Sequence, residues 1–143
     1  MKYIGPDFCN ITTLLSDEEL LIQKTANEFV DKEFMPIVNE YYEKGSFPTE
    51  LIPKMGELGF FGATLPKKYG GSEISSTAYG LIMQELEKGD SGLRSVCSVQ
   101  GGLVMYPIFE YGTEEQKEKW LPQLAQGSAV GCFGLTESNH GSD

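Results

Sequence analysis

Two stretches of this 143-residue chain carry groups that could do chemistry. In "GDSGLRSVCSVQGG" (89–102), one cation, Arg94, stands among Gly92, Ser95, Ser98, Gly101 and Gly102. Small residues let a backbone or a ligand approach closely. A guanidinium fork in such a pocket is suited to gripping a carboxylate with two charge-assisted hydrogen bonds. The structural alternative is an i, i+4 pair between Arg94 and Asp90, worth about 0.2–0.5 kcal/mol. A cation in the first turn of a helix opposes the helix dipole, so stability is a weak reason for placing it there. The second stretch is the closing "LTESNHGSD" (135–143), where Thr136, Ser138 and Ser142 offer hydroxyls, Asn139 an amide, and Gly141 a tight turn beside a ligand. Composition alone favours a polar hairpin turn there, with His140 as a turn residue. Cys97 and Cys132, flanked by apolar residues, read as structural thiols.

Other chemistries lack support. One His and no Cys/His cluster give no basis for a metal site, and no Gly-rich loop has the P-loop pattern. The net charge of -10, from 21 acidic and 11 basic side chains with no basic run, argues against nucleic acid or an anionic membrane as the main partner. No run approaches the ~18 apolar residues of a membrane span. Cys9, Cys97 and Cys132 are widely spaced and form no CxxC pair, which fits a reducing compartment. "MKYIGPDFCN" has the features of neither a signal peptide nor a transit sequence. The expectation is a cytoplasmic protein, or a mitochondrial matrix protein if a leader has been removed.

The elements that must position these residues read as helices. "SDEE" at Ser16–Glu19 is a capping box, followed by Leu21, Ile22, Thr25, Phe29 and Val30 at helical spacing. A pause is expected near Pro36, with resumption to Lys44 and a stop at Gly45. A shorter helix follows Pro48 and Thr49 and ends before Gly59. "LPKKYGGSEIS" is loop. A third helix starts at Ser76 and breaks at "KGDSG". The segment "LRSVCSVQGGLVMYPIFEYG" is apolar on nearly all sides and so reads as a buried central helix. "TEEQKEKWLPQLAQG" is a capped surface helix with Trp120 and Leu121 inward. Ala129 to Thr136 then reads as a strand. The prediction is an all-α domain over residues 1–128, with 129–143 opening a further β-domain.

At this point the residues resemble a family. "YGTEEQKEKWLPQLAQG" followed by "CFGLTESNHGSD" is similar to the acyl-CoA dehydrogenase flavoproteins, whose signature is a strand ending in Thr-Glu-Pro-x-x-Gly-Ser-Asp. "MGELGFFG", "LPKKYGG" and "AYGLIMQELEKGDSG" stand in the expected order, so the likeness covers essentially the whole chain. Within the family, the Arg94 segment looks most like the glutaryl-CoA branch. Ser138 replaces the usual proline, and His140 stands where a small residue is common.

The resemblance implies FAD as cofactor, with Phe133, Leu135 and Thr136 against the flavin edge and Ser142 at the pyrophosphate or the pantetheine arm. It implies Arg94 and Ser95 at the distal carboxylate of glutaryl-CoA, with Glu87 near the same acyl pocket. The activity implied is removal of an α-proton by a glutamate and of a β-hydride by flavin, with loss of carbon dioxide to give crotonyl-CoA. Electrons would pass to an electron-transferring flavoprotein, and the complete enzyme would be a homotetramer. The catalytic base is expected beyond Asp143, so the chain alone is expected to be inactive and to hold flavin weakly. Two alternatives stay open: a sibling enzyme for a monocarboxylic acyl-CoA, and a noncatalytic helical module that binds acyl-CoA or a protein partner.

Overall fold

Capping groups decide where the helices begin. In the computed structural model, which describes residues 8–141, a 3-10 turn Ile11–Leu14 leads to α1 (Asp17–Phe29). Ser16 Oγ accepts from the Glu19 N–H at 3.2 Å, and the Glu19 carboxylate accepts from the Ser16 N–H at 3.0 Å, which is the reciprocal box expected from "SDEE". The helix passes through a π-helical segment, Val30–Phe34, and a turn before α2 (Val38–Lys44). The pause thus falls at Pro36, as expected. A proline ring crowds the carbonyl four residues back, and the chain accommodates it with a wider turn in which Met35 N–H reaches Val30 C=O at 2.9 Å.

After α3 (Leu51–Glu57) come α4 (Ser76–Gly89) and α5 (Ser91–Ser98). A second π-helical segment, Val99–Met105, runs into α6 (Tyr106–Tyr111). It too precedes a proline, Pro107, and Tyr106 N–H bonds Gly101 C=O, so the same steric cause applies. The last helix is α7 (Glu114–Ala125), with its Thr113–Gln116 capping box formed. Gly45 (φ 61), the stop read from the sequence, and Gly127 (φ 70), the last residue of "TEEQKEKWLPQLAQG", take the left-handed conformation just past α2 and α7.

α1 lies along α4, α4 packs on α5, and α6 and α7 close on the second π segment. Between them sit Ala26, Phe29, Val30, Phe60, Ile82, Leu86, Leu93, Cys97, Met105 and Leu121, all buried. Phe29 and Phe60 meet edge to face at 5.6 Å. Each large side chain buried here contributes roughly 1.5–3 kcal/mol, against about 0–1 for a surface pair such as Lys44–Glu40. The core, not the surface charges, holds the bundle.

Four expectations need correction. The inward stripe of α1 is Ile22, Ala26, Phe29 and Val30, which leaves Leu21 63% exposed. On α7 it is Leu121, Leu124 and Ala125, so Trp120 stays 41% exposed, with Lys119 Nζ over its ring at 4.7 Å. The α5–α6 stretch is buried on one side only. Leu93, Cys97, Gln100 and Met105 face the bundle while Leu103, Tyr106 and Tyr111 are exposed, because α4 and α7 cover a single face. The strand over Ala129–Thr136 does not form among the described residues. A strand needs a neighbour's ladder of N–H and C=O groups, and among the described residues the only bridge joins Glu137 to His140. That bridge closes the polar turn around Ser138 and Asn139 that composition favoured.

No helix among the described residues is long and apolar enough to cross a membrane. Among them, no group of three or more His, Cys, Asp or Glu is placed to hold a metal ion.

Candidate functional site

The junction between α4 and α5 builds the site. α4 ends at Gly89, and Asp90, extended at φ -168, starts α5 by accepting from Gly92 N–H at 2.7 Å and Leu93 N–H at 3.1 Å through one carboxylate oxygen. Asp90 is therefore a helix cap and not the ion-pair partner of Arg94. The restart brings the first turn of α5 beside the last turn of α4, and Arg94 beside Glu87.

Arg94 Nε donates to Glu87 Oε2 at 2.6 Å, and Nη1 donates to Ser98 Oγ at 3.2 Å. Ser91 Oγ donates to the other Glu87 oxygen at 2.7 Å, and Ser98 Oγ donates to the Ser95 carbonyl at 3.2 Å. The Arg94 hydrogen bond, then that of Ser91, holds the Glu87 carboxyl below its ordinary range. Glu87 thus stays ionised, offsetting a cation that the α5 dipole disfavours. Of the residues expected at the site from the sequence, Glu87 and Arg94 meet directly, and Ser95 takes part only through its carbonyl, which accepts from Ser98 Oγ. Ser98, noted there only as a small neighbour, is the residue that completes the brace on the guanidinium. Arg94 is about one-third exposed, so the cluster forms an open shelf that a ligand can reach.

Beneath it, Tyr79 of α4 is partly buried, which raises its hydroxyl above the usual phenol range. Cys97 donates to the Phe60 carbonyl at 3.4 Å, and burial pushes its thiol up to about 12. It is a structural thiol, as expected. Gly101 permits the backbone contact read from its size: a Cβ there would stand 2.8 Å from the Phe61 carbonyl oxygen.

The second set of residues lies apart from this shelf. Phe133 and Leu135 are 50% and 74% exposed, and Thr136 is exposed, on the segment after α7. An aromatic ring, an aliphatic side chain and a hydroxyl free to meet a ligand suit a flat heteroaromatic group with a hydrogen-bonding edge. Ser142 lies outside the described residues. Among the described residues, sequence reasoning missed two buried polar groups, Glu85 and Gln100. Glu85 accepts from Gln23, Asn27 and Lys88 at 3.2, 2.9 and 2.6 Å. Gln100 bonds the chain just after α7. A lone amide within an otherwise small and apolar run was the available signal, because a buried amide must find partners.

Comparison with known proteins identifies the fold and the family. The family model for the acyl-CoA dehydrogenase N-terminal domain matches residues 16–128. A crystal structure of glutaryl-CoA dehydrogenase from Mycobacterium smegmatis is 48% identical, with a TM-score of 0.90 over 96% of this chain and 35% of that one. A second, in complex with FADH2, is 46% identical with a TM-score of 0.89, covering 94% and 34% of the two chains. The mitochondrial short-chain specific acyl-CoA dehydrogenase of Bos taurus is 33% identical over 129 residues, which are 90% of this chain and 31% of that protein. The chain thus spans about a third of the length of these relatives. On a match that takes in every helix from α1 to α7, this chain belongs to the acyl-CoA dehydrogenase family.

Proposed function

We propose that the chain is the helical, substrate-facing part of a flavin-dependent acyl-CoA dehydrogenase whose acyl group ends in a carboxylate, glutaryl-CoA being the case that fits. The observation carrying this reading is the braced guanidinium. Arg94 is aimed by Glu87 and Ser98 through Nε and Nη1, which leaves its remaining N–H groups for a ligand carboxylate. Ser98 Oγ accepts from its Nη1, and Ser95 is the next residue in the chain.

FAD, when bound, supplies the acceptor for the β-hydride, and Phe133, Leu135, Thr136 and Ser142 are the residues of this chain that would hold it. Arg94 fixes the far end of the acyl chain, so that the carbons to be oxidised are oriented before reaction. The α-proton goes to a glutamate from a later part of the enzyme, and residues 129–143 open the domain that leads there. With a glutaryl group the product carries its carboxylate on the carbon next to the new double bond, so carbon dioxide can leave with the electron pair of the breaking bond delocalised through that double bond onto the thioester. A proton taken up at the same carbon gives crotonyl-CoA. The complete enzyme is a homotetramer of a reducing compartment, the cytoplasm or the mitochondrial matrix, and passes its electrons to an electron-transferring flavoprotein.

One observation favours a second reading. Glu87 already neutralises Arg94, which weakens its pull on another carboxylate. On that reading the substrate is a monocarboxylic acyl-CoA, and Arg94 only ties α4 to α5. The two separate in the enzyme completed with its remaining domains, by comparing kcat/KM for glutaryl-CoA and butyryl-CoA. Arg94→Ala should lower the glutaryl-CoA value about a hundredfold or more, as expected for losing charge-assisted hydrogen bonds, and leave butyryl-CoA nearly unchanged. Equal effects on both would sink the dicarboxylate reading. The chain alone, purified, should show little absorbance near 450 nm and no dye-linked oxidation of glutaryl-CoA.

A further inference from the structure

Gln100 is 2% exposed, within the π segment Val99–Met105. Its Nε2 donates to the carbonyls of Leu124 at 2.9 Å and Ala129 at 2.8 Å, and its Oε1 accepts from Gly131 N–H at 3.0 Å. Ala129 C=O and Gly131 N–H flank Val130, and they are the pair of groups that a neighbouring strand would engage. One side-chain amide therefore makes the contacts of a strand residue where the described residues offer no strand. The third bond takes a carbonyl from the last turn of α7, so the amide joins that helix end to the segment leaving it.

A second contact acts at the same point. A Cβ on Gly131 would collide with both methyl groups of Val104, so the segment lies directly on the π segment there. Gln100 and Val104 are four residues apart in a widened turn and so face the segment together.

We propose that Gln100 is a positioning residue, a surrogate strand partner that fixes the register and direction in which residues 132–136 leave the bundle. This rests on the dehydrogenase reading for its purpose: the register decides which face of the segment, that of Phe133 and Leu135 or that of Thr136, is turned to the flavin. In an extended segment a slip of one residue turns each side chain to the opposite face. One π segment thus carries both the contacts to that segment and the continuation of the Arg94 helix, linking the acyl-end shelf and the cofactor segment through one continuous helical stretch.

The test compares amide hydrogen exchange in the chain and its Gln100→Met variant, which keeps the volume and loses the amide. Exchange at the Gly131 N–H, which donates to Gln100 Oε1, should rise about tenfold or more, the scale of a lost hydrogen bond, with α1 and α4 unchanged. Gly131→Ala, which pushes the segment off Val104, should give the same local rise should Gln100→Met fold poorly. A spin label on exposed Cys132, in a Cys9→Ser background, should become more mobile in both variants. Unchanged exchange in the segment, or a rise matched in α1 and α4, overturns the proposal. In the completed enzyme, Gln100→Met should retain less FAD and shift the visible flavin bands. Normal FAD retention and unaltered bands with a loosened segment would also overturn it. If the segment loosens but the wild-type enzyme takes up no FAD, the positioning role stands and the dehydrogenase reading fails.

Discussion

Arg94 Nε and Glu87 Oε2 stand 2.6 Å apart across the break between α4 and α5. The pair holds Glu87 below the ordinary carboxylate range, with Ser91 as the second cause. Its contribution is fully present above the ordinary Glu value of about 4.3 and is lost as pH falls through the lower folded value. A carboxyl-carbon NMR titration should show Glu87 titrating low. Arg94→Ala should move it up toward the ordinary value, and Ser91→Ala should move it less. A Glu87 titration that Arg94→Ala leaves unchanged would remove the pair from the description of the site.

Asp90 starts α5 by taking two amides on one oxygen. Asp90→Ala should cost about 0.5–2 kcal/mol in urea unfolding, the range for a lost N-cap, and Asp90→Asn much less. The first turn of α5 carries Arg94, so the alanine variant should also raise amide exchange at 91–95. Equal losses for both variants would show that the cap is not what Asp90 contributes.

Glu85 is buried with Gln23, Asn27 and Lys88 around it, tying α4 to α1. Removing the carboxylate strands three donors, although Lys88 is partly exposed and can turn toward water. Glu85→Ala should therefore destabilise the chain by about 2–3 kcal/mol, less than the 3–5 typical of a fully buried broken pair. The measurement is the urea midpoint at constant m-value. A loss within about 0.5 kcal/mol, the scatter of ordinary surface changes, would contradict the assignment.

Burial keeps the Cys97 thiol neutral up to about 12, whereas Cys9 and Cys132 are exposed. Under native conditions, iodoacetamide should modify Cys9 and Cys132, and Cys97 only on unfolding. The folded thiol holds its proton more tightly than the unfolded one. Stability from this group is thus fully present below the unfolded value of about 8.5 and falls as pH rises from there toward about 12. Cys97→Ala should flatten that alkaline loss, read as the urea midpoint between pH 8 and 10.

The sequence by itself determined what depends on near neighbours. Ser16 with Glu19 and Thr113 with Gln116 lie three residues apart, Pro36 acts on its own turn, and Gly45 and Gly127 adopt their dihedrals locally, so each was legible as spacing. The resemblance of ordered motifs likewise singled out Arg94, Glu87 and Ser95, although Asp90 looked the nearer partner until its carboxylate was found capping α5. Tertiary structure alone decided the rest. Gln100 finds its partners 24 to 31 residues away, and Glu85 bonds Gln23 and Asn27 at separations of 62 and 58. Whether Leu21 and Trp120 are covered depends on which helix lies against them. The strand read at Ala129–Thr136 had the right composition, but a ladder exists only where a second chain segment presents its groups. Among the described residues a single glutamine amide fills that place, and no local pattern around "SVQGG" could have announced what it would meet.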